Sequence, residues 1–282
     1  MADTKERIVF REIPMRTWRW LGVNEARMPA CVLEEAGGER LVTVPKGDKA
    51  EAVVVYRDEL AGKIRVELEE GAELHLVKVV LAGDHPHADT VEVTCAKDAV
   101  FRYTAVEAGG SEAASKLLVE LKGDNSQANV SSLYFAGGSR RVDMNYIIRQ
   151  SGKHTDATML VHGALTGKAE KIFRGTLDFI KGSEGSVGRE HEEVMLLSPK
   201  VRNRSVPLMF SGEADVDGHH AVSIGKMNEE KLFYLMSRGL DMDEAKRLVV
   251  EAAIAPVCAR IPDEELAAEI KAEIEGRISD DK

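Results

Sequence analysis

Cysteine is scarce in this chain. Its 282 residues include three, Cys31, Cys95 and Cys258, far apart and without a CxxC pair. That excludes a disulfide framework and a self-contained zinc or cluster site built on closely spaced thiolates. No apolar run reaches the roughly 18 residues that a membrane helix needs. The opening MADTKERIVFREIP lacks the apolar centre of a signal peptide. A reduced, cytoplasmic setting is therefore expected, with no membrane partner. The sequons at Asn129 and Asn203 are then chance matches. Positive charge is also short: 38 Lys and Arg stand against 48 Asp and Glu, a net charge of -10. An acidic surface repels phosphate backbones, so no nucleic-acid partner is expected.

Signatures of catalysis are missing too. There is no GxSxG, no HExxH and no recognisable carboxylate pair. Gly163-Ala-Leu-Thr-Gly167-Lys168-Ala169 imitates a phosphate loop but is one residue short between its glycines. Ala169 stands where a magnesium-binding hydroxyl is needed. GSEGSVG, from Gly182 to Gly188, spaces its glycines every third residue. Both segments read as tight turns. The expectation is a protein that is not an enzyme.

What is present is alternation. KIRVELEEGAELHLVKVVL and DTVEVTCAKDAVFRYTAVEAG alternate apolar and polar residues, as half-buried strands do. Ile64, Val66 and Leu68 share one face, and Leu74, Leu76 and Lys78 extend it. Between about 120 and 220 no helical period intervenes, which points to an all-β domain. GDNSQANVSSLYF, GKHTDATMLVHG and GSEGSVGREHEEVMLL repeat a Gly, a polar stretch and an apolar run; they start at Gly123, Gly152 and Gly182. That spacing suits the stacked rungs of a parallel β-solenoid, and leaves an antiparallel sandwich open. Three regions follow: an irregular leader over 1–50, the β core over 51–225 and a small helical domain over 226–282.

The helical domain opens on KMNEEKLFYLMSRG, with Asn228 as N-cap and Gly239 as its stop. Asp241 and Glu244 form a capping-box pair for the next helix, with Leu248, Val249 and Ala252 on its inner face. Pro256 should kink or end that helix, and the last helix carries Leu266, Ile270 and Ile274. Leu232, Phe233, Tyr234, Met236 and Arg238 make an amphipathic surface in a domain with little core of its own. Aromatic and Arg residues are typical interface anchors. In the leader, Trp18 and Trp20 read as an apolar anchor. Among the histidines, DHPHAD reads as a solvated loop. His219-His220 follows GEADVDG, so Glu213, Asp215 and Asp217 stand near an imidazole. On a strand only one of two adjacent histidines can face a given site.

From about 120 to 262 the chain resembles the SufB/SufD family of SUF iron–sulfur cluster assembly proteins. The resemblance rests on GGSRRVDMNYIIRQSGKHTDATMLVHGAL, KIFRGTLDFIKGSEGSVG, EEVMLLSPKVRNRSVPL and GHHAVSIGKMNEEKLFYLMSRGL. It implies a mainly β chain, a right-handed parallel β-helix with a small C-terminal helical domain. It implies a cytosolic complex with the ABC-type ATPase SufC, docked on that helical domain, and pairing with a SufB-type subunit or a second copy. It also implies a transient iron–sulfur cluster or iron, with no permanently bound group, and places His220 at the assembly site with Glu213, Asp215 and Asp217 as possible support. From Glu190 to His220 there is no cysteine. A serine such as Ser211 cannot replace a thiolate as sulfur acceptor, so the chain resembles SufD more than SufB. A self-associating structural solenoid and a carbohydrate-active β-helix protein are the alternatives. The aromatic content of 5% argues against the second.

Overall fold

The computed structural model describes residues 6–10, 22–34, 38–226 and 229–279. Trp18, Trp20 and the Asn228 cap lie outside the described residues. The chain stacks two seven-stranded sheets face to face, all of whose pairings are parallel. One sheet holds β3 (Glu39–Val44), β5 (Ala61–Leu68), β7 (His87–Cys95), β9 (Glu112–Leu121), β11 (Arg141–Gln150), β13 (Glu170–Phe179) and β15 (Arg202–Ser211). The other holds β4 (Lys49–Tyr56), β6 (Glu73–Val80), β8 (Val100–Glu107), β10 (Gln127–Ala136), β12 (Asp156–Leu165), β14 (Ser186–Leu196) and β16 (Val216–Lys226). Odd and even strands alternate along the chain, so each rung contributes one strand to each sheet. The parallel solenoid is therefore the fold, and the antiparallel sandwich is excluded.

Two forces hold the rungs. One is the apolar column between the sheets: Ile64, Val66, Leu68, Leu74 and Leu76 are all buried there, as their alternation requires. The other is the backbone ladder, which continues through the turns. Gly47, Gly71, Asp98, Asn125, His154 and Gly185 take the left-handed conformation at equivalent points of successive rungs. Each donates its N–H to the next rung: Asp98 to Asp124 O at 2.9 Å, Asn125 to Lys153 O at 2.9 Å, His154 to Glu184 O at 2.9 Å. Asp, Asn and His tolerate that conformation better than most side chains. The Gly123 and Gly152 repeat has a steric cause: a Cβ on Gly152 would stand 2.3 Å from Gly123 O.

The outer faces are covered unequally. Against the even-strand sheet lie α3 (Met242–Cys258) and α4 (Glu264–Ser279). Val250, Ile254, Val257, Cys258, Leu266, Ile270 and Ile274 pack there on Val77, Val79, Leu133 and Phe135. The Asp241–Glu244 capping box forms as read from the sequence. The inner face differs: Leu248 and Ala252 are exposed, and Ala245, Val250 and Ile254 are buried instead. Pro256 sits inside α3, which runs two residues past it to Cys258. The proline forgoes the N–H bond to the Ala252 carbonyl, and the helix ends within a turn of it. Over the odd-strand sheet lie β1 (Glu6–Phe10), β2 (Ala26–Pro29) and α1 (Cys31–Glu34), with Met28 and Val32 packed near Ala114. Exposed α2 (Glu229–Ser237) stands apart from this packing. No described helix is long and apolar enough to cross a membrane.

Two substitutions separate rung contact from backbone conformation. Gly152→Ala is expected to lose about 2–3 kcal/mol of stability, because backbone rather than a yielding side chain blocks the methyl group. Gly138, at φ +60° with open space around it, should lose only about 1 kcal/mol as alanine. Urea unfolding measures both, and equal losses would refute the steric account of the rung contact.

Candidate functional site

The space between the sheets is not purely apolar. Lys78, which the alternation placed on the inward face, is fully buried. Its Nζ donates to Asp89 Oδ2 at 2.6 Å, Glu107 Oε1 at 2.5 Å and Ser115 Oγ at 2.7 Å. Burial alone would push this ammonium down, but the Asp89 and Glu107 carboxylates outweigh it and hold it well above the ordinary lysine range. His87 lies 3.4 Å from Asp89 Oδ2 through Nε2, and its Nδ1 donates to Glu59 O at 2.6 Å. The DHPHAD segment is a solvated loop only over its first half, where Asp84 is exposed; His87 and Asp89 enter β7 facing inward, because the strand begins at His87. An ion cluster this buried persists only when paired.

A second cluster lies toward the last rung. Lys171 Nζ pairs with Glu192 Oε1 and donates to Ser205 Oγ at 3.0 Å. Tyr134 Oη donates to the same Glu192 oxygen at 3.2 Å. Glu190 is buried beside them, with no hydrogen-bond partner on either oxygen. Sequence reasoning missed all of these, because in SVGREHEEVML charged residues occupy both faces of the strand and alternation carries no signal.

The last rung itself ends both sheets: β15 and β16 each pair with a strand on one side only. β16 runs in unbroken register on β14, with His220 opposite Glu190 and His219 opposite Arg189. Val216 packs on the interior column, so His220, of the same parity, belongs to the inward row. His219 belongs to the outward row, where Nε2 meets Asp217 Oδ1 at 3.0 Å. Glu213 organises the turn: its carboxylate accepts N–H from Gly182 at 3.0 Å and Ala214 at 2.8 Å. Those backbone bonds, with that of Asp215, hold its carboxyl below the usual range. Asp215 and Asp217 are exposed. Among the described residues no three His, Cys, Asp or Glu side chains converge on a metal position. The structure thus sets His220 and these acids around one rung without gathering them into a ligand set.

On the helical side, Phe233 is 75% exposed and Tyr234 55%. Arg238 lies over the Tyr234 ring, 5.2 Å from its centre. Leu232, Phe233 and Met236 line one wall of a groove of about 830 Å³ whose other wall is Leu196, Leu197 and Pro199, with Lys226 and Lys246 also in its lining.

Comparison with known proteins places this arrangement. Residues 36–253 match the family model described as SUF system FeS cluster assembly, SufBD core domain. The chain belongs to that family. It is 29% identical over 164 residues to the iron–sulfur cluster assembly protein SufD of Bacillus subtilis, an alignment covering 58% of this chain and 38% of that protein. A SufBD family protein of Mycobacterium leprae is 26% identical over 253 residues, 86% of this chain and 64% of the relative. One from Staphylococcus aureus is 26% identical over 245 residues, 74% and 53%. The chain thus spans only part of the length of the relatives it matches.

Glu190 makes the rung beneath the open end sensitive to pH. Burial, with Glu192 adding to it, pushes its carboxyl up to about 8; Lys171 opposes this. The folded state therefore holds this proton between about 4.5 and 8, where the unfolded chain has released it. Folding stability must fall as pH rises across that window, by at most about 1.4 kcal/mol per pH unit. Lys171, pushed down to about 8 by burial, acts with the opposite sign above that window. Thermal melts from pH 5 to 8 are expected to show a decline that Glu190→Gln flattens. A decline of the same slope in both proteins would assign the effect elsewhere.

Proposed function

We propose that this chain is a non-catalytic scaffold subunit of a cytoplasmic SUF assembly complex. Its last rung pairs with the last rung of a SufB-type subunit or of a second copy, and its exposed α2 docks an ABC-type ATPase of the SufC kind. One observation carries the reading: the open rung of β15 and β16 brings an inward-row histidine to unpaired strand edges. Open edges offer N–H and C=O groups to another chain. A neutral imidazole there is a ligand for iron, the cargo of the assembly. Sulfur arrives on another subunit, since no thiolate lies on this rung; Cys95 and Cys258 are buried, and burial pushes the Cys95 thiol up to about 12. Glu213, Asp215 and Asp217 support the site by their negative charge at the turn that feeds β16. ATP hydrolysis belongs to the partner.

The α2 face fits a docking role. Phe233, Tyr234, Met236 and Arg238 lie in solvent while Leu232 is half-buried, so truncating them removes little from this chain's own core. Aromatic side chains and arginine dominate binding energy in protein interfaces.

Phe233→Ala or Arg238→Ala is expected to weaken capture of the ATPase at least tenfold, with an unchanged melting temperature; unaltered pull-downs in both variants would remove α2 from the interface. For the cargo site, iron and sulfide in the purified complex are expected to drop sharply in His220→Ala and little in His219→Ala. Stability should change by about 1 kcal/mol or less. Equal cluster content in His220→Ala and the parent would exclude this histidine, and loss only in His219→Ala would move the site to the outer face.

A further inference from the structure

Glu190 is 3% exposed and neither of its carboxylate oxygens has a hydrogen-bond partner. Two strand positions on, in the same inward row, Glu192 is fully buried; its Oε1 is taken by Lys171 and Tyr134, and its Oε2 has no partner. Three carboxylate oxygens are thus buried without a donor, one rung beneath the open end. Buried carboxylates without donors are costly. The nearest cation, Lys171, already spends its ammonium on Glu192 and Ser205. Two carboxyl groups thus lie beside one ammonium, and Glu190 is the one it leaves without a bond. The space is also shaped for the carboxylate: a Cβ on Gly175, across the interior, would stand 2.8 Å from Glu190 Oε1.

The residue in direct register with Glu190 on the next strand is His220. Neighbouring strands lie about 4.8 Å apart, and side chains of one row stand side by side. We propose that Glu190 and Glu192 complete a divalent-cation site with His220, so that the ion is held from the interior of the solenoid and not by the exposed acids of the turn. The inference rests on the reading of the last rung as the cargo site and specifies its ligands. As placed, the three side chains do not converge on one point. Glu190 has no hydrogen bond to give up in turning toward the open rung, so an arriving ion meets no competing partner on that carboxylate. Carboxylate oxygens with one imidazole suit Fe(II) or Mn(II), and exclude the thiolate preference of Cu(I) or a preassembled cluster. The exposed acids are less suited: Glu213 already accepts backbone N–H groups, and Asp217 is paired with the outward His219.

Co(II) alone is the probe, titrated anaerobically into the purified full chain, with binding read by calorimetry and by the visible absorption of the ion. The parent is expected to bind one ion. Glu190→Gln, which keeps shape and loses no hydrogen bond, should weaken binding at least tenfold, as should His220→Ala. Asp215→Asn and His219→Ala should stay within twofold of the parent. Circular dichroism melts establish that each variant is folded, and Glu190→Asp, with charge kept and reach shortened, gives a second reading if Glu190→Gln is not. No Co(II) binding by the parent, leaving water as the only occupant, overturns the inference. So does binding that His220→Ala abolishes and both Glu190 variants preserve; that result would leave His220 as the cargo ligand and move its partners elsewhere. Binding lost with Asp215→Asn would return the site to the turn.

Discussion

The in-register hydrogen bonding of one rung on the next is the constraint on which the rest depends. A parallel solenoid gives each strand residue the same two neighbours, one rung before and one rung after. The turns obey it as strictly as the strands, which is why Asp98, Asn125 and His154 accept a left-handed backbone rather than break the ladder. Side chains inherit the same order. Arg149 reaches Asp178 and Arg102 reaches Glu73, each across 29 residues of sequence, because one rung separates them. What reads as a faint sequence repeat is the trace of this stacking, and its unequal period is mainly the trace of strands that lengthen along the chain: rung contacts span 23 residues at Lys46 but 31 at Lys153.

Stacking also decides where polar chemistry can exist. An interior closed by two sheets offers no water to a charge, so a lysine there needs carboxylates from adjacent strands. Lys78 finds them on β7 and β8, and Lys171 finds Glu192 across on β14. The ladder stops at the last rung, which has no successor, as it does at the first. Backbone groups at this end lack a ladder partner, and one rung beneath it Glu190 lacks a donor. The same open end underlies both proposals, the pairing with another chain and the cation site.

The legible part of the fold was the part with contrast. KIRVEL alternates cleanly, so Ile64, Val66 and Leu68 were placed inward correctly, and Lys78 was caught by continuing their row. Contrast vanished in REHEEV, where both faces are charged, and the buried pair Glu190 and Glu192 could not be told from Arg189 and Glu193. The same ambiguity shifted the inner face of α3. Its sequence, MDEAKRLVVEAAIAPVC, carries two apolar stripes, and the flat sheet of Val77, Val79 and Phe135 selects the one through Val250, Ile254 and Val257. His87 was missed for a different reason. Proline and aspartate around it signal a loop, but the strand starts at the histidine itself, and parity from Val91 and Val93 was the clue that would have turned it inward.

Connectivity joins the two proposed surfaces. β16 ends at Lys226 and α2 starts at Glu229. His220 lies midway along an edge strand held on one side only, by β14. On the proposed docking of a partner at α2, force would reach β16 first, the strand that pairs only with β14. The inner rungs are paired on both sides, and α3 and α4 pack on the even-strand sheet. The β16–β14 pairing is the register that sets His220 against Glu190. In a solenoid whose inner strands are paired on both sides, the last strand is the one whose displacement breaks the fewest ladder bonds, and it carries the histidine of the proposed cargo site.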